Sequence, residues 1–198
     1  MPSAITHAVV GISTGLAISK GKAPKRFWVL SMICPMLADL DVLTFKVGIS
    51  YASLWGHRGL FHSLFFSALF GFFIATVFFR KYEVFSKGWL VYSLYFSAVT
   101  STHGVLDAFT NGGLGVALLS PFDDKRYFFW ATPISVSPLS VKAFFGGRGP
   151  GILKNEFMWV WLPSLFMALI GKLSFSHSGL DDRDSGGMSR PSKASMQK

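Results

Sequence analysis

Five apolar stretches alternate with short polar or glycine-containing segments along the chain. The clearest covers about 60–79. From 63 to 79 it holds no formally charged residue and is dense in Phe, Leu and Ala, which predicts a transmembrane helix. A stretch at about 27–49 is apolar except for Asp39, Asp41 and Lys46, and one at about 88–109 is apolar except for His103 and Asp107. Both read as spans with polar ends. A fourth, about 157–173, is rich in Trp, Leu and Met and short for a crossing, a mismatch that local bilayer thinning accommodates. The first, about 4–19, has the weakest signal. A secretory signal would carry its basic cluster before the apolar run, whereas Lys20, Lys22, Lys25 and Arg26 follow it, so an uncleaved short span or re-entrant helix is the better reading. The segment 174–198 is polar and low in apolar residues, the composition of a disordered tail, and no internal repeat is present.

The pattern predicts an all-α protein, a polytopic transmembrane helix bundle of about four to five spans. Residues 1–173 form its membrane domain, and a long interfacial segment, 110–156, lies within it. Composition agrees. Only 15% of the 198 residues are charged against roughly 25% in an average soluble domain, mean hydropathy is +0.43, and Phe occurs 21 times. The one cysteine, Cys34, excludes an intramolecular disulfide framework and a cysteine-based zinc site, so any metal must be held by nitrogen and oxygen.

Charge orients the chain. Placing the N-terminus outside puts Lys20, Lys22, Lys25, Arg26, Arg80, Lys81 and Lys87 on short inner loops, whereas the short outer loop 46–58 holds only Lys46 and Arg58. The net charge of +9 is accounted for by this rule and by anionic headgroups of membrane lipid. No nucleic-acid partner is expected, because no basic-aromatic recognition pattern accompanies the charge.

An Asp near the centre of a spanning helix costs about 2.5–3.5 kcal/mol, so Asp39, Asp41 and Asp107 need compensation. On the alternating topology His7, Asp39, Asp41, His57, Arg58, His62, His103 and Asp107 all collect near the outer face, although the topology was set by loop Lys and Arg alone. His103 and Asp107, four apart, share one helix face and can ligate one metal or simply pair with each other. Asp39 and Asp41, two apart, converge only if the helix ends or unwinds; Pro35 makes a break there plausible, and a capping pair is the alternative. In Trp55-Gly56-His57-Arg58-Gly59-Leu60-Phe61-His62-Ser63 the glycines permit a tight turn aiming both imidazoles one way, and Arg58 offers a planar fork for a carboxylate or phosphate. Interfacial histidines with Arg58 reaching to headgroups are the alternative.

Four histidines and three aspartates exceed what a single tetrahedral zinc uses, so either two metals bind or one binds beside acid-base groups. Imidazole with carboxylate suits zinc best, with manganese or iron as other options.

Thr6-His7, Leu37-Ala38-Asp39-Leu40-Asp41, Gly56-His57-Arg58-Gly59-x-x-His62-Ser63, and His103-x-x-x-Asp107 followed by Thr110-Asn111-Gly112-Gly113 and Ser120-Pro121-Phe122 occur in this order. The set resembles the bacterial membrane-bound metal-dependent hydrolases of the YdjM-like family, also described as LexA-binding, inner-membrane-associated hydrolases. Where the family typically shows Gly-Phe-Thr-His, this chain has Gly59-Leu60-Phe61-His62, which keeps the histidine spacing. The resemblance implies an inner-membrane location and these His and Asp residues as metal ligands. No residue here marks a surface for a LexA-like partner, and the protein partner stays open.

The sequence therefore points to an integral membrane metal-dependent hydrolase of the bacterial inner membrane. Its metal ligands would come from His7, Asp39, Asp41, His57, His62, His103 and Asp107, with water activated by the metal and its proton taken by a carboxylate, Asp39 or Asp41. Arg58 would stabilise negative charge on an ester or phosphoester of a lipid-like substrate. Segment 121–131, with Phe122, Tyr127, Phe128, Phe129 and Trp130, is either an interfacial cover for the site or an aromatic belt. The alternative is a non-enzymatic metal-binding membrane protein or transporter using the same residues.

Overall fold

A computed structural model describes residues 1–19, 23–138 and 140–177 of the chain. Each predicted apolar stretch contributes a helix. α1 is Ala4–Ile18, started by Ser3, whose hydroxyl accepts from the Thr6 N–H. α2 is Lys25–Val47, α-helical over Lys25–Ile33 and 3₁₀ over Cys34–Val47, closed by Gly48 at φ 79°. α3 is Leu64–Phe78, capped by the Ser63 hydroxyl accepting from the Phe66 N–H, and α4 is Lys87–Ala108, capped in the same way by Ser86 and Trp89. α5 is composite: Gly149–Glu156, a π-helical turn Phe157–Trp161, and Leu162–His177.

Among the described residues there is no strand, only two isolated bridges, Thr110 with Ile134 and Val116 with Tyr127. The predicted interfacial segment 110–156 is irregular through its first part. It turns helical at its end, where Pro150 occupies a first-turn position that has no use for its missing N–H. Helix α5 continues through His177; the rest of the predicted tail, 178–198, lies outside the described residues, as do Lys20 and Lys22 of the predicted inner loop.

The packing is oily outside and partly polar inside. Leu69 and Phe73 of α3, Val91 and Leu94 of α4, and Phe166, Met167 and Leu169 of α5 are exposed, a surface that lipid accepts and water does not. The interior joins Phe27, Cys34, Ile74, Phe79, Tyr95, Phe96 and Val99 to small hydroxyls. Ser31 Oγ meets Tyr95 Oη at 2.6 Å, and Ser97 donates to Ala68 O across the α3–α4 contact at 3.2 Å. Helix α2 and the stretch Phe144–Leu173 are long and apolar enough to cross a membrane, whereas α1 and α3, 15 residues each, are apolar but short. At 1.5 Å per residue such a helix rises about 22 Å, against about 30 Å of bilayer hydrocarbon.

Helix direction decides where the polar residues go. The start of α1, the second half of α2, the turn before α3 and the end of α4 meet at one end of the bundle, bringing His7, Asp39, Asp41, His62, His103 and Asp107 together.

Candidate metal centre

The unusual backbone of α2 places the two aspartates. In an α-helix residues two apart lie about 160° apart around the axis. A 3₁₀ helix, at three residues per turn, brings them to about 120°. Pro35, at the start of the 3₁₀ run, withholds an N–H from the α-helical pattern. His62 is thereby bracketed by both carboxylates: its Nε2 lies 3.6 Å from Asp39 Oδ1 and its Nδ1 lies 3.1 Å from Asp41 Oδ2. The break of the helix expected near Pro35 takes the form of a change of helix type.

His62 reaches this position because the turn Leu60–His62 lies directly on α4. A Cβ on Gly104 would run into the His62 carbonyl, so only glycine lets the two backbones come so close. α4 presents His103 immediately before this contact and Asp107 about one turn after it. The His103 Nδ1–H donates to the Pro35 carbonyl at 2.6 Å, which leaves Nε2 carrying the lone pair of the neutral ring. That Nε2 lies 2.9 Å from His62 Nε2 and 3.3 Å from Asp39 Oδ1, while Asp107 Oδ2 lies 3.6 Å from His62 Nε2. His7 stacks on His103 with ring centroids 3.9 Å apart and points Nε2 at Asp107 Oδ1, 3.9 Å away.

Four of the six spacings among the donors of His62, His103, Asp39 and Asp107 are of the size found around a small cation. Around a tetrahedral zinc with bonds of about 2.0–2.1 Å, neighbouring ligand atoms stand about 3.3 Å apart, and the separations of 2.9, 3.3, 3.6 and 3.6 Å among His62, His103, Asp39 and Asp107 bracket that value. Asp107 has the Arg58 guanidinium beside it, with Nε 3.0 Å from Oδ2, whereas both ring nitrogens of His7 and both oxygens of Asp39 are buried without a hydrogen bond. Buried carboxylates in that state cost several kcal/mol each unless a positive charge lies among them. Ligand atoms within 4.8 Å of one another form two adjoining groups, His7 with His103 and Asp107, and Asp39 with His57 and His62. All seven histidines and aspartates singled out in the sequence thus lie in or against one cluster, with Asp41 set behind His57 and His62.

His57 and Arg58 occupy the turn between α2 and α3. The glycines around them act through their missing side chains: a Cβ on Gly56 would strike the carbonyls of Ser50 and Tyr51, and one on Gly59 that of Leu54. The left-handed conformation falls on Arg58 itself, at φ 64°, a position that costs a non-glycine residue about 1–2 kcal/mol. What holds it is the fork of its side chain. Nε lies 3.0 Å from Asp107 Oδ2, Nη1 donates to Gly112 O at 2.6 Å and Nη2 donates to Thr110 Oγ1 at 2.8 Å, while its backbone N–H donates to Asp41 Oδ2. Each guanidinium nitrogen is directed at a protein oxygen, and the residue is 1% exposed. Thr110 and Gly112 of the Thr-Asn-Gly-Gly motif therefore serve as acceptors for Arg58. His57 Nδ1 donates to Asp41 Oδ1 at 2.7 Å, and both His57 and Arg58 line a cavity of about 160 Å³ with Tyr51 and Gly113.

Arg126 ties the irregular segment to this turn by donating to the carbonyls of His57, Tyr51 and Ser53. In the same segment Phe122 and Trp130 are 81% and 96% exposed, facing away from the cluster, so these two aromatics do not cover it. The Lys125 N–H, and after it the Tyr127 hydroxyl, hold Asp123 below the usual carboxylate range.

One residue escaped the sequence reading. Glu156 is fully buried where α5 meets α1, and accepts from the Ser3 N–H, from Ser3 Oγ at 2.6 Å and from Thr6 Oγ1 at 2.7 Å; Trp161 Nε1 donates to the same Thr6 hydroxyl. It clamps the first turn of α1, one residue from His7. The signal was an acid flanking the apolar run 157–173, one position outside it, and the buried-charge argument applied to Asp39 applies equally here. Glu156→Ala leaves three donors unmet and is expected to destabilise the protein by about 3 kcal/mol or more. Glu156→Gln retains an acceptor and should cost less than half as much, measured by thermal unfolding of the two variants in detergent.

A bundle of apolar helices with a His/Asp cluster buried at one end defines a helical membrane protein with a candidate metal centre. The chain belongs to the YdjM inner membrane protein family, whose match covers residues 1–180. It is 37% identical to inner membrane protein YbcI of Escherichia coli (strain K12) over 173 residues, which span 87% of this chain and 97% of that protein. No solved structure matches.

Proposed function

We propose that the protein is a multi-pass metal-dependent hydrolase of the bacterial inner membrane, with its site near the outer face, acting on an ester or phosphoester of a lipid-like substrate. The observation that carries this reading is the convergence of His62 Nε2, His103 Nε2, Asp39 Oδ1 and Asp107 Oδ2, with the buried Asp39 carboxylate making no hydrogen bond. These four residues would hold a divalent cation, zinc before manganese or iron, with His7 as a further donor. Such an ion supplies Lewis acidity and makes water more acidic near neutral pH.

The chain's own residues do the remaining work. Asp41 fixes the His57 ring through Nδ1, so Nε2 is the nitrogen left to take a proton in the cavity that His57 lines. This moves the base from the Asp39 or Asp41 carboxylate of the sequence reading to an imidazole that Asp41 orients. Arg58, committed to Asp107, Thr110 and Gly112, positions Asp107 and places positive charge at the cavity wall.

The test is metal analysis of the purified protein beside His62→Ala. We expect about one divalent ion per chain in the wild type and a loss of most of it in the variant. Equal content removes His62 from the ligand set, and no metal in either overturns the hydrolase reading. The complete burial of His7, His103 and Asp107 favours a second reading, a protein that holds its cation for structure or transfer. Bound metal without hydrolysis of phospholipid or carboxylic ester substrates would select it.

A further inference from the structure

At the end of the bundle opposite the metal centre, the end of α1 and the starts of α2 and α4 enclose a groove of about 240 Å³. Phe27 and Tyr95, both buried, form its floor, and Tyr95 Oη is already bonded to Ser31 Oγ. Ile18 and Val91 stand at its mouth, 50% and 54% exposed, so the groove opens on the apolar outer side of the bundle.

Tyr92 is the wall that joins this groove to a group of cations. Its ring stacks on Phe79 with centroids 3.9 Å apart and lies 5.5 Å from the ring of Tyr82. Arg26 Cζ sits 5.1 Å from the Phe79 centroid and Lys81 Nζ 4.6 Å from the Tyr82 centroid, and both charges act on the Tyr92 hydroxyl. The rings hold these cations in place but give their N–H groups no oxygen to donate to. Among the described residues neither side chain makes a hydrogen bond or an ion pair; both are exposed, and Glu83, the one acid on the loop between α3 and α4, pairs with neither. Arg26 also lies with Lys25 in the first turn of α2, which holds no acid, so the helix dipole adds to their charge there instead of offsetting it.

A hydrocarbon groove with unmatched positive charge along one wall is complementary to an amphiphile, an apolar chain joined to an anionic head. A soluble phosphate would leave the groove empty, and an uncharged chain would leave the cations unmatched. We propose that this end of the bundle binds one anionic phospholipid, with part of an acyl chain against Phe27, Val91 and Tyr95 and its phosphate at Arg26 and Lys81, whose N–H groups donate to the phosphate oxygens. The site lies away from the metal centre and holds its lipid whether or not the protein is a hydrolase. It differs from the general attraction of basic loops to anionic headgroups, which depends on total charge and on no particular residue.

That difference is the test. The full chain is titrated with phosphatidylglycerol in detergent, and bound lipid is counted by native mass spectrometry. We expect one lipid per chain to bind several-fold more tightly than phosphatidylcholine with the same acyl chains. Arg26→Gln and Lys81→Gln should each weaken this binding about fivefold. Lys172→Gln removes an exposed cation beside Gly171, which packs on Ala17 at the end of α1, and should leave the binding unchanged. Val91→Trp, which narrows the mouth of the groove, should weaken it as much as the loss of Arg26. All four substituted side chains are exposed, which keeps the fold out of the comparison. Glycerol phosphate, a head without chains, should not displace the lipid at equal concentration. Equal affinity for the two lipids, or an equal loss in Lys172→Gln, overturns the site in favour of diffuse attraction. Unchanged binding in Val91→Trp, or displacement by glycerol phosphate, overturns it by removing the chain from the groove.

Discussion

Replacing Arg58 with methionine is expected to destabilise the protein by about 3–5 kcal/mol, the cost of stranding one partner of a buried ion pair. Methionine keeps much of the length and apolar stem, so packing loss is small and the effect reports the guanidinium. Its removal leaves Asp107 Oδ2, Gly112 O and Thr110 Oγ1 without the donors that now face them in a fully buried environment. Arg58→Lys should recover little, because one ammonium cannot reach three acceptors spread around a planar fork. Thermal unfolding in detergent, with metal content on the same samples, gives the answer. We expect both variants to unfold at markedly lower temperature and to hold less metal, since Asp107 is no longer oriented towards His62. A methionine variant with wild-type stability would show that the fork is idle and that another group balances Asp107.

The role of Arg58 marks the line between what the chain's pattern reveals and what only folding decides. Ionisable residues inside apolar stretches are conspicuous because their burial is costly, and the alternation of helix direction places the start of one helix beside the end of the next. His7, Asp39, His62, His103 and Asp107 were legible for that reason. Their partners were not. Whether a guanidinium faces substrate or a carboxylate depends on where a distant segment returns, and Thr110 and Gly112 lie more than fifty positions beyond Arg58. Proline signalled a disturbance in α2, but a 3₁₀ run as long as Cys34–Val47 is uncommon, and no local propensity announces it. Glu156 lay one position outside the apolar window and so escaped the test that found the aspartates.

Asp39→Asn separates the charge of the cluster from its shape. Both Asp39 oxygens are buried without hydrogen-bond partners, yet one of them lies 3.3 Å from His103 Nε2 and 3.6 Å from His62 Nε2. An amide there is nearly isosteric but a poor ligand. Without metal the substitution should not lower stability and should raise it if anything, because it removes a buried carboxylate that no hydrogen bond satisfies, while Asp41 and Asp107 remain beside His62 to balance any charge it carries. With metal the two proteins should part company. An ion at a thousandfold excess over its Kd stabilises the folded state by about 4 kcal/mol, which for a chain of this length raises Tm by about 8–16 °C. We expect zinc to produce a rise of that order in the wild type and almost none in Asp39→Asn. Asp123→Asn, which removes a half-buried carboxylate bonded to Lys125 and Tyr127 outside the cluster, should keep the full response. If Asp39→Asn also keeps it, the carboxylate is not a ligand, and the four donors do not surround a common ion. Loss of the response in Asp39→Asn alone, with metal-free stability intact, ties the stabilisation to a cation held at that carboxylate, because a merely structural aspartate would have lowered the metal-free Tm instead.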